Sequence, residues 1–389
     1  MSESNRSHIL EHLYRNGVCS RAQIAQALNL TPAAITKITA RLIDARVIEE
    51  TGGIEGRKNR RSIGLTLDTD RFHVISVKFA RSIVQMGIFD LNGGCLSSQT
   101  LPTVTDETIG ETLQAIRTNI QTYLEHDDSI LAVGMAVPGP YLRDVGRIAV
   151  VSSMQGWRKI NFLREFADRF RVPVFVEQDA RAGVLAHYLF DSVNTCDNLA
   201  YYLVGEGVGL GVMENGELIN GSLGAATEIG HISIDVNGRP CDCGNVGCLE
   251  RYCSAVAVHE EIVKRRLVAH ASSMNHARAC TALFAGAQDG DRRAQELVQE
   301  VGHYIGYGCV TIFNAFNPQR IVIGDIMSQG GARLLTAVRE VVNQRAIPEL
   351  NDSTTIALSH LSADATLAGG AATAIIQFLE HPSTFFDVS

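Results

Sequence analysis

No apolar run in this 389-residue chain approaches the ~18 residues that a membrane-spanning helix needs. Residues 1–6 are polar rather than the charged prelude to an apolar signal segment, so the expected location is the cytoplasm, with no membrane insertion. Aromatic residues are scarce, at 6%, yet 46% of the chain is apolar and 20% charged, which is ordinary globular composition. Disorder, collagen and coiled coil are thereby excluded, and the length implies two or three domains. A disulfide framework is missing as well. The nine cysteines are odd in number, and four of them crowd together at Cys241, Cys243, Cys248 and Cys253. In a reducing compartment such a cluster points to metal rather than oxidation.

The net charge of −8 is unevenly spread. Residues 1–66 hold ten Lys or Arg against six Asp or Glu, a net of +4, which leaves −12 on the remainder. Four of those ten cations lie within residues 57–61. A basic head on an acidic body implies that the head meets a polyanion while the body does something else.

The head reads as three helices. Ile9, Leu10 and Leu13 form one apolar stripe that ends at Asn16-Gly17. Ser20 caps a second helix carrying Ile24, Ala25 and Leu28, and Asn29-Leu30 turns the chain into a third. Thr31 is the N-cap of that helix, Pro32 its first residue, and Ile35, Ile38 and Leu42 its inward stripe. Ala33, Ala34, Thr36, Lys37 and Arg41 face outward, the arrangement of a helix-turn-helix whose second helix lies in the major groove. Two strands, 47–50 and 62–66, flank a Gly- and Arg-rich segment and make a wing. Its Arg57, Lys58 and Arg60 are expected to reach DNA phosphates or the minor groove.

From residue 72 the pattern changes to strands at 73–80, 83–90 and 95–101, with Asn92-Gly93 as a hairpin turn. A helix at 107–124, a strand at 130–137, a helix at about 161–170 and a strand at 172–176 follow. Strands at 199–204 and 208–214 with an Asn215-Gly216 hairpin repeat the opening, which predicts a duplicated α/β unit with a ligand cleft between the copies. Residues 255–316 are mainly helical, 320–323 is a buried strand, and 363–379 is a closing helix.

The most specific local signal is His231, Cys241, Cys243 and Cys248. Three thiolates and an imidazole within eighteen residues, with Gly238, Gly244 and Gly247 between them, predict a closed tetrahedral Zn2+ site, one per chain. All four positions are protein ligands, so the zinc is expected to be structural. Cys253 falls outside the spacing and is assigned to the core.

With these elements in place, four segments resemble the ROK family of repressors and sugar kinases: GMAVPGP (134–140), VFVEQDAR (174–181), GEGVGLG (205–211), and GAATEIGH (224–231) running on to CDCGNVGCLE (241–250). Together with the head, the whole chain resembles the branch that includes the N-acetylglucosamine and xylose repressors. The resemblance implies an α/β, actin-like (ribonuclease H-like), two-lobed sugar-kinase fold behind an N-terminal winged helix-turn-helix. The implied domains are 1–68 for the head, 69–183 for the first lobe, and 184–389 for the second lobe with the zinc loop, its final helix packing back on the first. It further implies sugar contacts from Gln178, Asp179, Glu228, His231 and Glu250, with Asp179 at the vestigial general-base position of the kinases and ionised to accept hydroxyls.

Departures from the family's kinases bear on activity. Their Asp-x-Gly-Gly-Thr motif is Lys78, Phe79, Ala80, Arg81 and Ser82 here, Glu206 stands where a Thr would meet phosphate, and Gly324-Asp325-Ile326 lacks two glycines. The nucleotide side is therefore expected to be degenerate, with no phosphoryl transfer and Glu206 placing negative charge against ATP. The expected function is a sugar-responsive DNA-binding regulator, a repressor of carbohydrate genes. It would bind operator DNA as a homodimer or homotetramer and be released by a sugar or sugar phosphate. An ATP-dependent hexose kinase, and a repressor controlled by a protein partner, are the alternatives. Whether a phosphate binds depends on cleft cations such as Lys78 or Arg181, and the link from cleft to head is expected to run through residues 65–71.

Overall fold

The computed structural model describes residues 3–55, 61–149, 155–191, 196–361 and 364–386. The first helix, α1 (Glu3–Asn16), buries Ile9, Leu10 and Leu13 and stops at Gly17, whose φ of +64° suits a residue without a Cβ. α2 (Arg21–Ala27) begins at a capping box between Ser20 and Gln23, and α3 (Pro32–Asp44) begins where the Thr31 hydroxyl accepts the Ala34 N–H. Asn29, left-handed at φ +51°, turns the chain between them. The sheet of the head runs β1 (Cys19–Ser20), β3 (Arg61–Leu67), β2 (Ile48–Glu55), completing a winged helix. The two-residue β1 is too short for any sequence pattern to announce it.

The first lobe is built on β4 (His73–Phe79), β5 (Val84–Asp90), β6 (Cys95–Thr100), β7 (Ile130–Val137) and β10 (Val174–Gln178), with a small hairpin of β8 (Tyr141–Leu142) and β9 (Arg147–Ile148) beside it. The second lobe uses β11 (Leu199–Val204), β12 (Val208–Glu214), β13 (Glu217–Leu218), β14 (Arg320–Gly324) and β15 (Thr355–Leu358). Their sheet orders, β10-β7-β4-β5-β6 and β13-β12-β11-β14-β15, are the same topology. In each, the first three strands pair antiparallel and the last two add in parallel on the other side of the first. The duplication expected from the two Asn-Gly hairpins is thus present strand for strand.

In the first lobe the helices are α4 (Ile109–His126) and α5 (Phe162–Phe166). The helix expected over 161–170 stops at Phe166, because Ala167 turns extended and Asp168 takes φ +58°. α6 (Asp179–Phe190) carries the chain to the second lobe. There α7 (Glu250–Cys253), α8 (Ala255–Arg265), α9 (His276–Gln288), α10 (Arg292–Phe316), α11 (Gly331–Arg345) and α12 (Pro348–Ser353) follow, and α13 (Ala365–Glu380) closes the fold. α6 packs on β11 and β12 of the second sheet, whereas α13 returns to pack on β4, β7 and β10 of the first. The expected lobe boundary between 183 and 184 therefore falls inside one continuous helix. That helix crosses α13 at close range: a Cβ on Gly369 would lie 2.3 Å from the backbone of Ala182. The apolar core of the head continues without a break into the core around α6 and α13.

Candidate functional site

The loop between β13 and α7 gathers the four expected metal ligands. Gly244 (φ +91°) and Gly247 (φ +70°) provide its tight turns, and at Gly247 a Cβ would collide with the Asp235 carbonyl. The ligand atoms of His231, Cys241, Cys243 and Cys248 all lie within 4.8 Å of one another. Cys243 Sγ and Cys248 Sγ are 3.7 Å apart, as are Cys241 Sγ and His231 Nδ1. A tetrahedral site with ~2.3 Å metal–sulfur bonds has sulfur–sulfur edges of about 3.8 Å, so the donors present fit a metal ion. Cys253, fully buried and bonded to the Leu249 carbonyl, belongs to the core.

Beside this loop a cleft of about 460 Å³ opens between the lobes. All five residues expected to contact sugar line it. Gln178 ends β10, Asp179 starts α6, Glu228 and His231 come from the metal loop, and Glu250 starts α7, so both lobes contribute. Gln178 Nε2 donates to Glu228 Oε1 at 3.3 Å, while Gln178 Oε1 is buried without a hydrogen-bond partner. A ligand hydroxyl would satisfy that oxygen. Glu250 Oε2 accepts the Val208 N–H at 3.1 Å.

Burial pushes the Asp179 carboxyl up to about 7, with Asp325 adding to the rise and the Ala180 N–H, Lys78 and Arg81 opposing it. Burial and then the Asp179 charge push Glu228 up to about 8. Near neutral pH Asp179 is thereby shared between its protonated and ionised forms and Glu228 favours its proton, so the pair can donate to a polyol as well as accept from it.

The other side of the cleft is organised around Lys78. Its ammonium lies 2.7 Å from Asp364 Oδ2 and 3.8 Å from Asp325 Oδ2. Burial alone would lower the lysine, but these carboxylates hold it above its ordinary range. Burial would raise Asp364, yet Lys78 and the N–H groups of Thr366 and Leu367, which it caps at the start of α13, hold it below. Glu206, by contrast, is pushed up by burial, with Arg81 opposing. Arg81 pairs with Glu250 at 3.4 Å. Arg181 does not line this cleft; it is fully buried against Glu177 at 2.7 Å. Arg81, Asp325 and Asp364 were not singled out as site residues from the sequence. Only Asp364 carried a usable signal there, an N-cap type immediately before an apolar helix.

On the head, Ala33, Thr36 and Lys37 are exposed and Ala34 and Arg41 half-buried on the outer side of α3. Arg21 braces that helix, donating to Thr39 Oγ1 at 3.1 Å and pairing with Glu50 of β2 at 2.7 Å. Arg57, Lys58 and Arg60 lie outside the described residues.

Residues 74–377 match the ROK family, and residues 3–49 match a winged helix-turn-helix DNA-binding family. The chain is 30% identical over 368 residues to the DNA-binding transcriptional dual regulator NagC of Escherichia coli (strain K12), covering 93% of this chain and 90% of that protein. It is 26% identical to the xylose repressor of Bacillus spizizenii, covering 97% and 96%. A ROK family transcriptional regulator, solved as a homologue of the E. coli MLC protein, superposes with a TM-score of 0.82 at 27% identity over 99% of this chain and 98% of that one. The ROK family glucokinase of Streptomyces griseus, solved with glucose and AMPPNP, shares the fold at a TM-score of 0.68 and 24% identity, covering 77% of this chain and 98% of that one.

Proposed function

The chain belongs to the ROK family, and from that premise we propose that it is a sugar-responsive transcriptional repressor without kinase activity. The observation that carries this reading is the contrast within one cleft. On the polyol side Gln178, Asp179, Glu228, His231 and Glu250 line one wall, where Gln178 Oε1 is without a hydrogen-bond partner among the described residues, whereas on the nucleotide side Lys78 is tied to Asp325 and Asp364. Those two carboxylates are already matched to an internal cation and bring negative charge to the region where ATP phosphates and magnesium would have to sit.

His231, Cys241, Cys243 and Cys248 would hold one structural Zn2+ per chain, closing the loop and orienting the His231 ring toward the sugar. Ala33, Ala34, Thr36, Lys37 and Arg41 would meet the major groove, with Arg57, Lys58 and Arg60 of the wing on the backbone or minor groove. One helix-turn-helix reads a half-site, so a homodimer or homotetramer on a pseudo-palindromic operator is the assembly that fits. The effector is a sugar or sugar phosphate; Arg81 is the wall cation available to a phosphate. Binding would favour one lobe arrangement, shifting the head by the differential affinity of the effector for the two arrangements.

Titration of operator release with a panel of neutral and phosphorylated sugars tests the reading. Release by one sugar class supports it. Silence across the panel favours regulation by a protein partner, and sugar-dependent ADP release at ordinary enzymatic rates overturns it in favour of a hexose kinase.

A further inference from the structure

The connection at residues 65–71 is not the head's only hold on the body. A second cavity, of about 620 Å³, lies at the far ends of α6 and α13, walled also by α1, β10 and the β12–β13 hairpin. Asp179 and Ala365, the first residues of α6 and α13, line the effector cleft, while Tyr188 and Gln377, near their ends, line the second cavity. At ~1.5 Å per residue the two sites are about 14 Å apart along α6 and about 18 Å apart along α13. Between them the helices touch where Gly369 meets the backbone of Ala182 and Gly183. The two helices pack on each other over much of their length and approach closest at this crossing, so a rotation of one against the other that changes the span at one end changes it at the other.

α1 of the head is fastened across this far end. Tyr14 Oη donates to the Leu91 carbonyl of the first lobe at 2.8 Å. The next residue, Arg15, reaches the other way. Its guanidinium lies 5.0 Å from the centre of the Tyr188 ring and donates to the Tyr188 hydroxyl, and its Nη1 is 3.7 Å from Asp197 ahead of β11. Consecutive residues of one helix thus hold both lobes, the two banks between which α1 lies. α1 also packs on α13 and is pinned beyond it, where Arg6 donates to Ser383 Oγ at 2.6 Å.

We propose that Tyr14 and Arg15 are positioning residues that transmit lobe closure to the DNA-binding head. When the lobes close on an effector, the span across the far cavity changes, and a helix held to both banks must shift or give up one hold. The inference rests on the sugar-responsive reading, and it places the link in α1 in addition to the covalent connection.

The test measures operator affinity with and without saturating sugar for the full chain, Tyr14→Phe and Arg15→Ala. Both variants are expected to keep sugar affinity in the absence of DNA within about twofold, while the roughly 5–150-fold effect typical of such couplings shrinks toward unity. By reciprocity, the effect of operator DNA on sugar affinity shrinks by the same factor. A coupling ratio equal to wild type in both variants overturns the proposal, as does a loss of sugar affinity itself.

A second arm needs no sugar. Arg15→Glu, set against Asp197, is expected to speed hydrogen exchange in α1 and leave α3 unchanged; unaltered exchange in α1 would refute the tie. If the operator affinity of the unaltered chain ignores every sugar, the sugar-responsive reading falls and the coupling role with it. If that affinity responds and the variants respond equally, the proposal alone falls.

Discussion

The two sides of the interlobe cleft use the same ingredients to opposite ends. On the polyol side, Asp179 and Glu228 are half-buried with no cation at ion-pair distance among the described residues, and their carboxyls rise to about 7 and about 8. On the other side the Asp364 side chain is 35% exposed at the cleft wall, Lys78 stands 2.7 Å away and the carboxyl is held below its ordinary value. A cleft acid therefore becomes a hydrogen-bonding group with spare capacity or half of an internal ion pair, according to whether the chain supplies the cation itself. The first is ready for a ligand; the second has already satisfied itself.

The largest effect should come from removing that cation. Lys78→Met leaves the largely enclosed Asp325 and the partly exposed Asp364 without their counter-ion, and urea denaturation should register a loss of roughly 2–3 kcal/mol, the buried-pair cost reduced by solvent screening at Asp364. A loss below about 1 kcal/mol would mean that the ion pair does not organise this side.

Next, Cys243→Ser should abolish stoichiometric metal on elemental analysis and lower thermal stability and sugar affinity together, the affinity by about tenfold or more, because His231 and the Glu228 loop lose their anchor. Full metal content in the variant would dismiss Cys243 as a ligand.

Asp179→Asn sharpens the contrast from the polyol side. Calorimetry should show sugar affinity reduced about 5–100-fold, the scale of an enclosed hydrogen-bonding group left without its partner, with operator affinity unchanged. The pH dependence has a definite sign. A carboxyl whose folded pKa is raised contributes stability that is full below its unfolded value of about 4 and is lost as pH rises through the folded value. With Asp179 at about 7 and Glu228 at about 8, stability of the sugar-free chain should fall from about pH 4 and level off above about pH 8, and the double variant Asp179→Asn, Glu228→Gln should flatten that slope. An identical slope in the double variant would assign it to other groups.

The smallest effect lies outside the cleft. Lys37→Ala should weaken operator binding and reduce its salt dependence by about one phosphate contact while leaving sugar affinity untouched. Equal loss of both would mean that α3 is not the recognition helix.

Legibility in the sequence followed distance along the chain. His231 and the three cysteines span eighteen residues with glycines between them, so their spacing alone predicted the cluster that the loop forms. The caps at Ser20 and Thr31 and the hairpins at Asn92 and Asn215 are likewise complete within a few residues. The five cleft residues were legible through motif resemblance, and the cavity gathers all of them. The Lys78–Asp364 pair was not, because its partners are 286 residues apart and neither side chain carries a mark of the other. That α6 runs unbroken through residues 183–184 was not legible for a related reason: nothing local distinguishes a helix that ends one lobe from one that crosses into the next.

The sequence by itself determined the helix-turn-helix, the metal loop, the doubled strand pattern and the types of residue at the cleft, since each depends on propensities and hydrogen bonds settled within a turn or two. The tertiary structure alone decided which carboxyls keep protons, which are neutralised by Lys78, and how α1 reaches both lobes. Those outcomes depend on burial and on charges brought together from distant parts of the chain, where the reduced dielectric makes the identity of the neighbour decisive.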